Sequence, residues 1–397
     1  MSRARTIAID ALTTILNEGR MAEEVLPAAS ASLGEADARL VEAMVKSALR
    51  HLGQIDAVIA ARMKKPLGQK LLGVQCALRI GASQLLLLRV PDHAAIAETV
   101  AAVKVGKFRP YARLVNAVLR QITGASLPPA TANLPPWFWD RWKPYYPAAA
   151  ICRIAAEMPP LDIVWRDGTS ERFPHPYPAI ESLPGYDAGE FWVQDKAAQL
   201  PVTMLGDVRG KRVLEIGAAP GGKTAQLVAA GARVTALDRS AARMAVLRAN
   251  MGRLKMQVEE IVADMLEYVP STTYDGVVLD APCSATGTWR RHPEVLRIVT
   301  PEDIAELAAL QRQMLERAWG WVAPKGRLLY IVCSLEREEG EDQISAFLVA
   351  HPEAKIASPL LLPPQGGESS AILRTHPAMS AESGGMDGFF AAVLEKT

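Results

Sequence analysis

The sequence predicts a multidomain chain: an all-α domain over residues 1–126, a small connecting subdomain over 127–191, and a doubly wound α/β domain over 192–397. Three observations predict it. Apolar residues recur at helical spacing through the first part. Prolines from Pro128 to Pro184 interrupt regular structure in the middle. Beyond residue 192, short apolar runs alternate with amphipathic segments, the pattern of a parallel sheet covered by helices.

With 397 residues, 49% hydrophobic and 22% charged, the chain has an ordinary globular composition and room for more than one core. It holds no charge-free apolar run of about 18 residues, so no membrane helix is expected. No apolar stretch precedes Asp10, so no secretory signal is expected. Four cysteines without a C-x-x-C spacing make neither a disulfide framework nor a zinc site. A reducing, cytoplasmic compartment is the expectation. The net charge of +1 conceals an asymmetry: residues 1–127 carry 17 Lys+Arg against 10 Asp+Glu, a net of +7, and the remainder carries 27 against 33, a net of −6. A basic domain ahead of an acidic one points to a polyanion partner for the first, although a basic helical surface without a partner has the same composition.

The first helix is expected over Arg5–Leu16, with Ile9, Leu12, Ile15 and Leu16 on one face. Asp37–Leu52 follows, its stripe formed by Leu40, Val41, Met44, Val45, Ala48 and Leu49. Gln75–Leu88 is almost wholly apolar and should be the central buried helix. Pro91 stops it, and Asp92 or His93 is expected to cap the next helix, Ala94–Val103. A last helix, Arg109–Ile122, ends before Gly124. In the connecting region, Trp137–Trp142 mixes aromatics with charge, which suits either packing or stacking on bases.

In the α/β part, strands are expected at Arg212–Ile216, Val234–Leu237, Val258–Val262, Gly276–Leu279 and Arg327–Val332. Helices are expected at Thr224–Ala230, Ala241–Leu254, Pro301–Val322 and Gly340–Ala350. Thr300 is a natural N-cap, with Pro301 at the first helical position and Glu302 and Asp303 at the positive end of the dipole. Phe389–Leu394 is expected as a late edge strand.

The run Gly217, Ala218, Ala219, Pro220, Gly221, Gly222, Lys223 joins a strand to a helix, and its small residues let a ligand approach the backbone. It is neither G-x-G-x-x-G nor a Walker loop. Asp238, Asp264 and Asp280 close successive strands, the first suited to ribose hydroxyls and the second to an adenine amino group. Together they favour a nucleoside cofactor, and the missing dinucleotide fingerprint favours S-adenosylmethionine over NAD. Cys283 and Cys333 end two neighbouring strands, so two thiols and the Asp280 carboxylate should face one crevice. That set suits methylation of a pyrimidine carbon, in which a thiolate adds to the ring and activates it. Cys76 and Cys152 are read as buried structural residues. Arg290, Arg291 and His292 are candidates for contacts to RNA phosphates around an extruded base, with a solvated basic loop as the alternative.

The runs Leu78–Leu86, Val90–Glu98 and Val115–Arg120 resemble the helical NusB family, which implies RNA binding for a NusB-like N-terminal domain. Glu215–Thr224, Asp280–Thr288, Arg290–Pro293 and Tyr330–Ser334, with Phe191–Lys196 and Met386–Phe390 flanking them, resemble the RNA 5-methylcytosine methyltransferases. The resemblance implies a Rossmann-like class I methyltransferase domain, S-adenosylmethionine as cofactor and RNA as partner, small-subunit ribosomal RNA above all. By position it makes Cys333 the nucleophile and Cys283 the residue that assists release. It assigns Gly217–Lys223, Asp238, Asp264 and Asp280 to the cofactor or to its junction with the base. The chain departs from the family at Gly217, usually cysteine, at Val332, usually threonine, and at Val164-Trp165-Arg166, often Arg-Val-Asn. The same chemistry on transfer RNA, or a non-catalytic RNA-binding assembly factor, are the alternatives.

Overall fold

A computed structural model describes residues 2–357 and 372–396. The chain forms two compact units, one of residues 1–157 with 289–299, the other of 158–288 with 300–397.

The first unit is helical: α1 (Ser2–Glu18), α2 (Ala22–Ser30), α3 (Glu35–Arg50), α4 (Leu52–Ala60), α5 (Leu72–Leu86), α6 (Asp92–Val105), α7 (Ala112–Ile122), α8 (Pro136–Trp142) and α9 (Ala148–Ala155). Leu12 and Ile15 of α1, Met44 and Val45 of α3, Val74, Ala77 and Ile80 of α5, and Val115 and Leu119 of α7 form its core. α5 is buried on almost every side, as its mostly apolar sequence predicts. The cap of α6 differs from expectation. Pro91 occupies the N-cap and no side chain caps the helix, so Asp92 lies inside the first turn and His93 is exposed.

Residues 289–299 are pinned within this unit. The buried Arg50 guanidinium donates to the carbonyls of Ala155, Glu157 and Arg290 at 2.9, 3.1 and 2.7 Å. The Ala22 N–H donates to Glu294 at 3.0 Å, and Arg297 donates to the Asn133 carbonyl at 2.7 Å. The segment expected as a separate connecting subdomain is divided: residues 127–157 go with the helices and 158–191 with the sheet. Packing explains the division. Phe138, Trp142, Ile151 and Cys152 are buried on α8 and α9, and the Trp142 ring lies 6.0 Å from that of Trp289.

The second unit begins with a three-stranded antiparallel sheet, β1 (Leu161–Trp165), β2 (Ser170–Phe173) and β3 (Phe191–Val193), in the order β2-β1-β3. The chain continues through α10 (Lys196–Thr203), β4 (Arg212–Ile216), α11 (Gly222–Ala229), β5 (Arg233–Asp238), α12 (Ala241–Leu254), β6 (Glu259–Val262) and β7 (Tyr274–Asp280). It passes through the short helix α13 (Val295–Ile298) of the first unit, then returns as α14 (Pro301–Gly320), β8 (Val322–Val332), α15 (Glu341–Ala350), β9 (Ala354–Ile356), β10 (Ile372–Arg374) and β11 (Phe390–Lys396). Thr300 and Asp303 close the expected capping box on α14.

The large sheet has the order β10-β11-β8-β7-β4-β5-β6, with β9 paired to β11. The strands from β8 to β6 are parallel, and side chains alternate along β4: Val213 enters one apolar layer, Leu214 the other. The last strand departs from expectation. β11 is not an edge strand; it runs antiparallel between β8 and β10. Its run Phe390-Ala391-Ala392-Val393 is buried on both faces, and a continuous apolar run marks an interior strand rather than an edge. The chain moves from β4 outward to β5 and β6, then jumps to β7 and β8 on the other side. The order therefore reverses between β4 and β7, and the crevice at the carboxyl ends of those strands is where such sheets bind ligands.

Candidate active site

Gly217 follows β4 with φ +78°, and a Cβ there would collide with the Asp280 carbonyl oxygen. The cofactor loop thus leans on the end of β7, which only glycine allows in this conformation. The loop enters α11 through Gly221, at φ +107°, and no side chain caps that helix. Asp238, the buried last residue of β5, accepts the Ser240 N–H at 2.9 Å and the Ala219 N–H at 3.4 Å. Arg243 pairs with Asp238 at 3.4 Å and donates to the Ala219 carbonyl, tying this carboxylate to the loop. Asp264, exposed beyond β6, accepts the Leu266 N–H at 2.8 Å. The loop and these two acids lie along neighbouring strand ends, an arrangement that fits a nucleoside cofactor.

Sequence reasoning assigned Lys223 to the cofactor loop; its ammonium turns to Asp280, 2.7 Å away, and lies 5.5 Å from the Phe389 ring centroid. Burial works against the ammonium, but the Asp280 carboxylate outweighs it and holds Lys223 above the ordinary lysine value. Beneath them, burial lifts the Glu215 carboxyl to about 8, against the opposing hydrogen bond from Thr224 at 2.6 Å.

The sulfurs of Cys283 and Cys333 are 3.4 Å apart. The two thiol-bearing turns are joined backbone to backbone: Ala281 N–H donates to the Ile331 carbonyl at 3.0 Å and Gly287 N–H to the Cys333 carbonyl at 3.0 Å. A third loop joins them, since Gly388 N–H donates to the Gly287 carbonyl at 2.8 Å. Asp195 in turn accepts the Asp387 N–H at 3.0 Å while capping α10, so the two flanking motifs meet. The hydrogen bond with Cys333 and burial push the Cys283 thiol well above its ordinary value. Cys76 and Cys152 are fully buried, and burial pushes Cys152 up to about 12.

The three basic candidates separate. Arg290 is fully buried within the helical unit, so it is not a solvent-facing phosphate contact. Its long apolar stem suits an interior position, which neighbouring charge in the sequence did not reveal. Arg291 is exposed, and His292 is half-buried with Nδ1 3.9 Å from Glu294.

Sequence reasoning missed the Lys223–Asp280 pair and the buried Glu339, whose carboxylate bonds to Ser284 and Ser334 beside the two cysteines. The glycine spacing of the loop fixed where Lys223 starts, but nothing local indicates a partner 57 residues on. Glu339 sits in the run Glu336-Arg337-Glu338-Glu339, which reads as a solvated charged turn. Elsewhere, a cavity of about 400 Å³ in the helical unit is lined in part by the Arg79–Asp56 ion pair and holds none of the expected site residues.

Comparison with known proteins places the chain among its relatives. The model of the family described as 16S rRNA methyltransferase RsmB/F matches residues 202–395, and the NusB family model matches residues 2–124. The chain is similar to ribosomal RNA small subunit methyltransferase B of Erwinia tasmaniensis, at 33% identity over 435 residues covering 100% of this chain and 99% of that protein. The protein of the same name from Sodalis glossinidius is 34% identical over 432 residues, covering 99% of this chain and 97% of its own. The crystal structure of PH0851 superposes over 100% of this chain and 99% of its own with a TM-score of 0.78 at 23% identity, a likeness of fold.

Proposed function

Because this chain belongs to the ribosomal RNA small subunit methyltransferase B family, we propose that it transfers a methyl group from S-adenosylmethionine to carbon 5 of a cytosine in small-subunit ribosomal RNA, through a covalent bond from Cys333 to carbon 6 of the ring. The observation that carries this reading is the approach of the two thiols to 3.4 Å at the same strand-end crevice as the Lys223–Asp280 pair.

The loop of small residues beside Asp238 and Asp264 fits S-adenosylmethionine. Gly217 and Gly221 leave room for close approach, Asp238 would accept the ribose hydroxyls and Asp264 the adenine amino group. Bound there, the cofactor supplies an electrophilic sulfonium methyl.

Carbon 5 of cytosine is a weak nucleophile. Addition of the Cys333 thiolate to carbon 6 makes it enamine-like, and it then accepts the methyl group. Loss of the carbon 5 proton to a base and cleavage of the carbon–sulfur bond restore the aromatic ring and the thiolate. Cys283, in contact with the reacting sulfur, is the residue that assists this release. Lys223 and Asp280 offer one donor and one acceptor to the N3 and amino edge of the base, where charge develops as the thiolate adds. Arg291 and His292 are the remaining candidates for phosphate contact, which would make binding sensitive to salt.

The test is transfer of a labelled methyl group from S-adenosylmethionine to unmodified small-subunit ribosomal RNA, followed by nucleoside chromatography. Label in 5-methylcytidine is expected. Label in another nucleoside would overturn the chemistry, and RNA binding without label would favour a non-catalytic assembly factor.

A further inference from the structure

The cavity of about 400 Å³ in the helical unit lies between α4, α5 and the loop that joins them. That volume is within the roughly 300–1,000 Å³ of ligand sites. Its walls are apolar: Ile59 from α4, Met63, Pro66 and Leu67 from the loop, and Leu78 from α5. Its polar side is the Arg79–Asp56 pair. Arg79 donates Nε and Nη2 to the two carboxylate oxygens of Asp56, each at 2.8 Å. Arg79 is largely buried, whereas 40% of the Asp56 side chain is exposed. The pair therefore fixes the carboxylate and leaves it lone pairs for a donor on a ligand. The loop is held as well, since the Gln75 side chain donates to the carbonyls of Leu67 and Gly68 at 2.9 and 3.3 Å.

The same loop carries much of the basic charge of this unit. Arg62, Lys64, Lys65 and Lys70 are all exposed, and no Asp or Glu stands between Asp56 and Asp92 in the sequence. None of the four side chains has an ion-pair partner among the described residues. Lys64 and Lys65 lie between Met63 and Pro66, two residues of the cavity wall, so the cations border the opening.

An apolar slot with an acceptor on one wall and cations at its rim matches a nucleotide unit of a single strand. The phosphates meet the loop, the flat faces of the base meet Ile59, Met63 and Leu78, and an N–H on the base edge meets Asp56. Every RNA base presents such an N–H, so the slot is tolerant of sequence. An acidic peptide would match the cations, but its carboxylates would meet that of Asp56 inside the cavity. We propose that the helical unit binds single-stranded RNA at this place, with phosphates along Arg62–Lys70 and one unstacked base in the cavity. This rests on the reading of the substrate as RNA, and it gives the helical unit a defined contact of its own, built from other residues than the cysteine pair.

The test uses the full-length protein and a fluorescent oligouridylate of about 12 nucleotides carrying 4-thiouridine. Affinity is read by anisotropy over a salt series, crosslinked peptides by mass spectrometry after irradiation, and folding by circular dichroism. In the wild type, crosslinks are expected within residues 59–79. Replacing both loop lysines, Lys64→Gln with Lys65→Gln, should weaken binding about tenfold and lower the salt slope by about 0.7 per lysine. Met63→Trp fills the cavity and should remove the crosslinks within residues 71–79. Crosslinks confined to residues 158–288 and 300–397 would overturn the proposal, and so would an unchanged affinity and slope in the folded lysine variant or crosslinks that persist in folded Met63→Trp. Competition by polyglutamate or uridine monophosphate as strong as that by unlabelled oligouridylate would also overturn it, in favour of an acidic protein or a free nucleotide. If Met63→Trp does not fold, the wild-type crosslinks and the lysine variant decide. The probe contains no cytosine and no readout needs methyl transfer, so a failure here is distinguishable from a failure of the proposed reaction.

Discussion

The sulfur of Cys283 touches that of Cys333 at 3.4 Å although 50 positions separate them in the chain. The contact follows from strand register. β7 and β8 are parallel neighbours with Asp280 opposite Ile331, so the residues just beyond both strands emerge at one edge. The pairs of backbone hydrogen bonds between the two turns hold that edge, and the Lys223–Asp280 ion pair spans the reversal of strand order beside it.

The Lys223–Asp280 pair should behave as one unit. Lys223→Met and Asp280→Asn are each expected to slow single-turnover methylation by about 10²-fold, the cost of losing one preorganised charge partner. The double variant should be no more than about tenfold slower than the worse single variant, because partners in contact are not additive. Rapid-quench methylation, with cofactor affinity measured separately by calorimetry, checks this. Independent, multiplying losses would show that the two residues serve different steps.

Glu215 makes a prediction about pH and stability. Its carboxyl is lifted to about 8 in the folded protein by burial, while the unfolded chain titrates it near the ordinary value of about 4.3. A raised folded value means the stabilising contribution is complete below the unfolded value and is lost as pH rises towards 8. Glu215→Gln should therefore gain in Tm relative to the wild type as pH rises from 5 to 9. A Tm difference that does not vary with pH would show that Glu215 is not held protonated.

Gly287 is a packing constraint at the heart of the site. A Cβ there would collide with the Gly388 carbonyl and crowd that of Cys333. Gly287→Ala is expected to cost about 1–3 kcal/mol in urea unfolding, the range for overpacking, and to slow methylation by displacing the Cys333 turn. Unchanged stability and rate would mean the three loops are looser than the hydrogen bonds between them indicate.

Much of the sheet was legible in the sequence because parallel strands buried on both faces read as short apolar runs. Helix α12 was legible from end to end, and α14 announced itself through Thr300, Pro301 and Asp303. Helices α2 and α4 were not read. Pro27 interrupts the first, and the second follows α3 after a single residue, His51, so one apolar stripe runs through the junction. β11 was read as an edge, although its continuous apolar run already argued for an interior position. The strand-end rule set Asp238, Asp264, Asp280 and both cysteines at or just beyond neighbouring strand ends, where the structure has them. It could not show that Lys223 reaches Asp280, 57 residues on, or that Glu339 turns inward to Ser284 and Ser334, because its run Glu336-Arg337-Glu338-Glu339 reads as solvated. Arg290 was misjudged for a related reason: adjacent basic residues reveal charge, not which of them the chain buries.

The most direct measurement is a trapping gel. Wild type, Cys283→Ala, Cys333→Ala and the double variant are incubated with unmodified small-subunit ribosomal RNA and S-adenosylmethionine, then run under denaturing conditions. A slow-moving protein–RNA adduct is expected with Cys283→Ala and absent from the double variant, because Cys333 forms the bond and Cys283 assists its release. Methylation by Cys333→Ala at the wild-type rate would contradict the account.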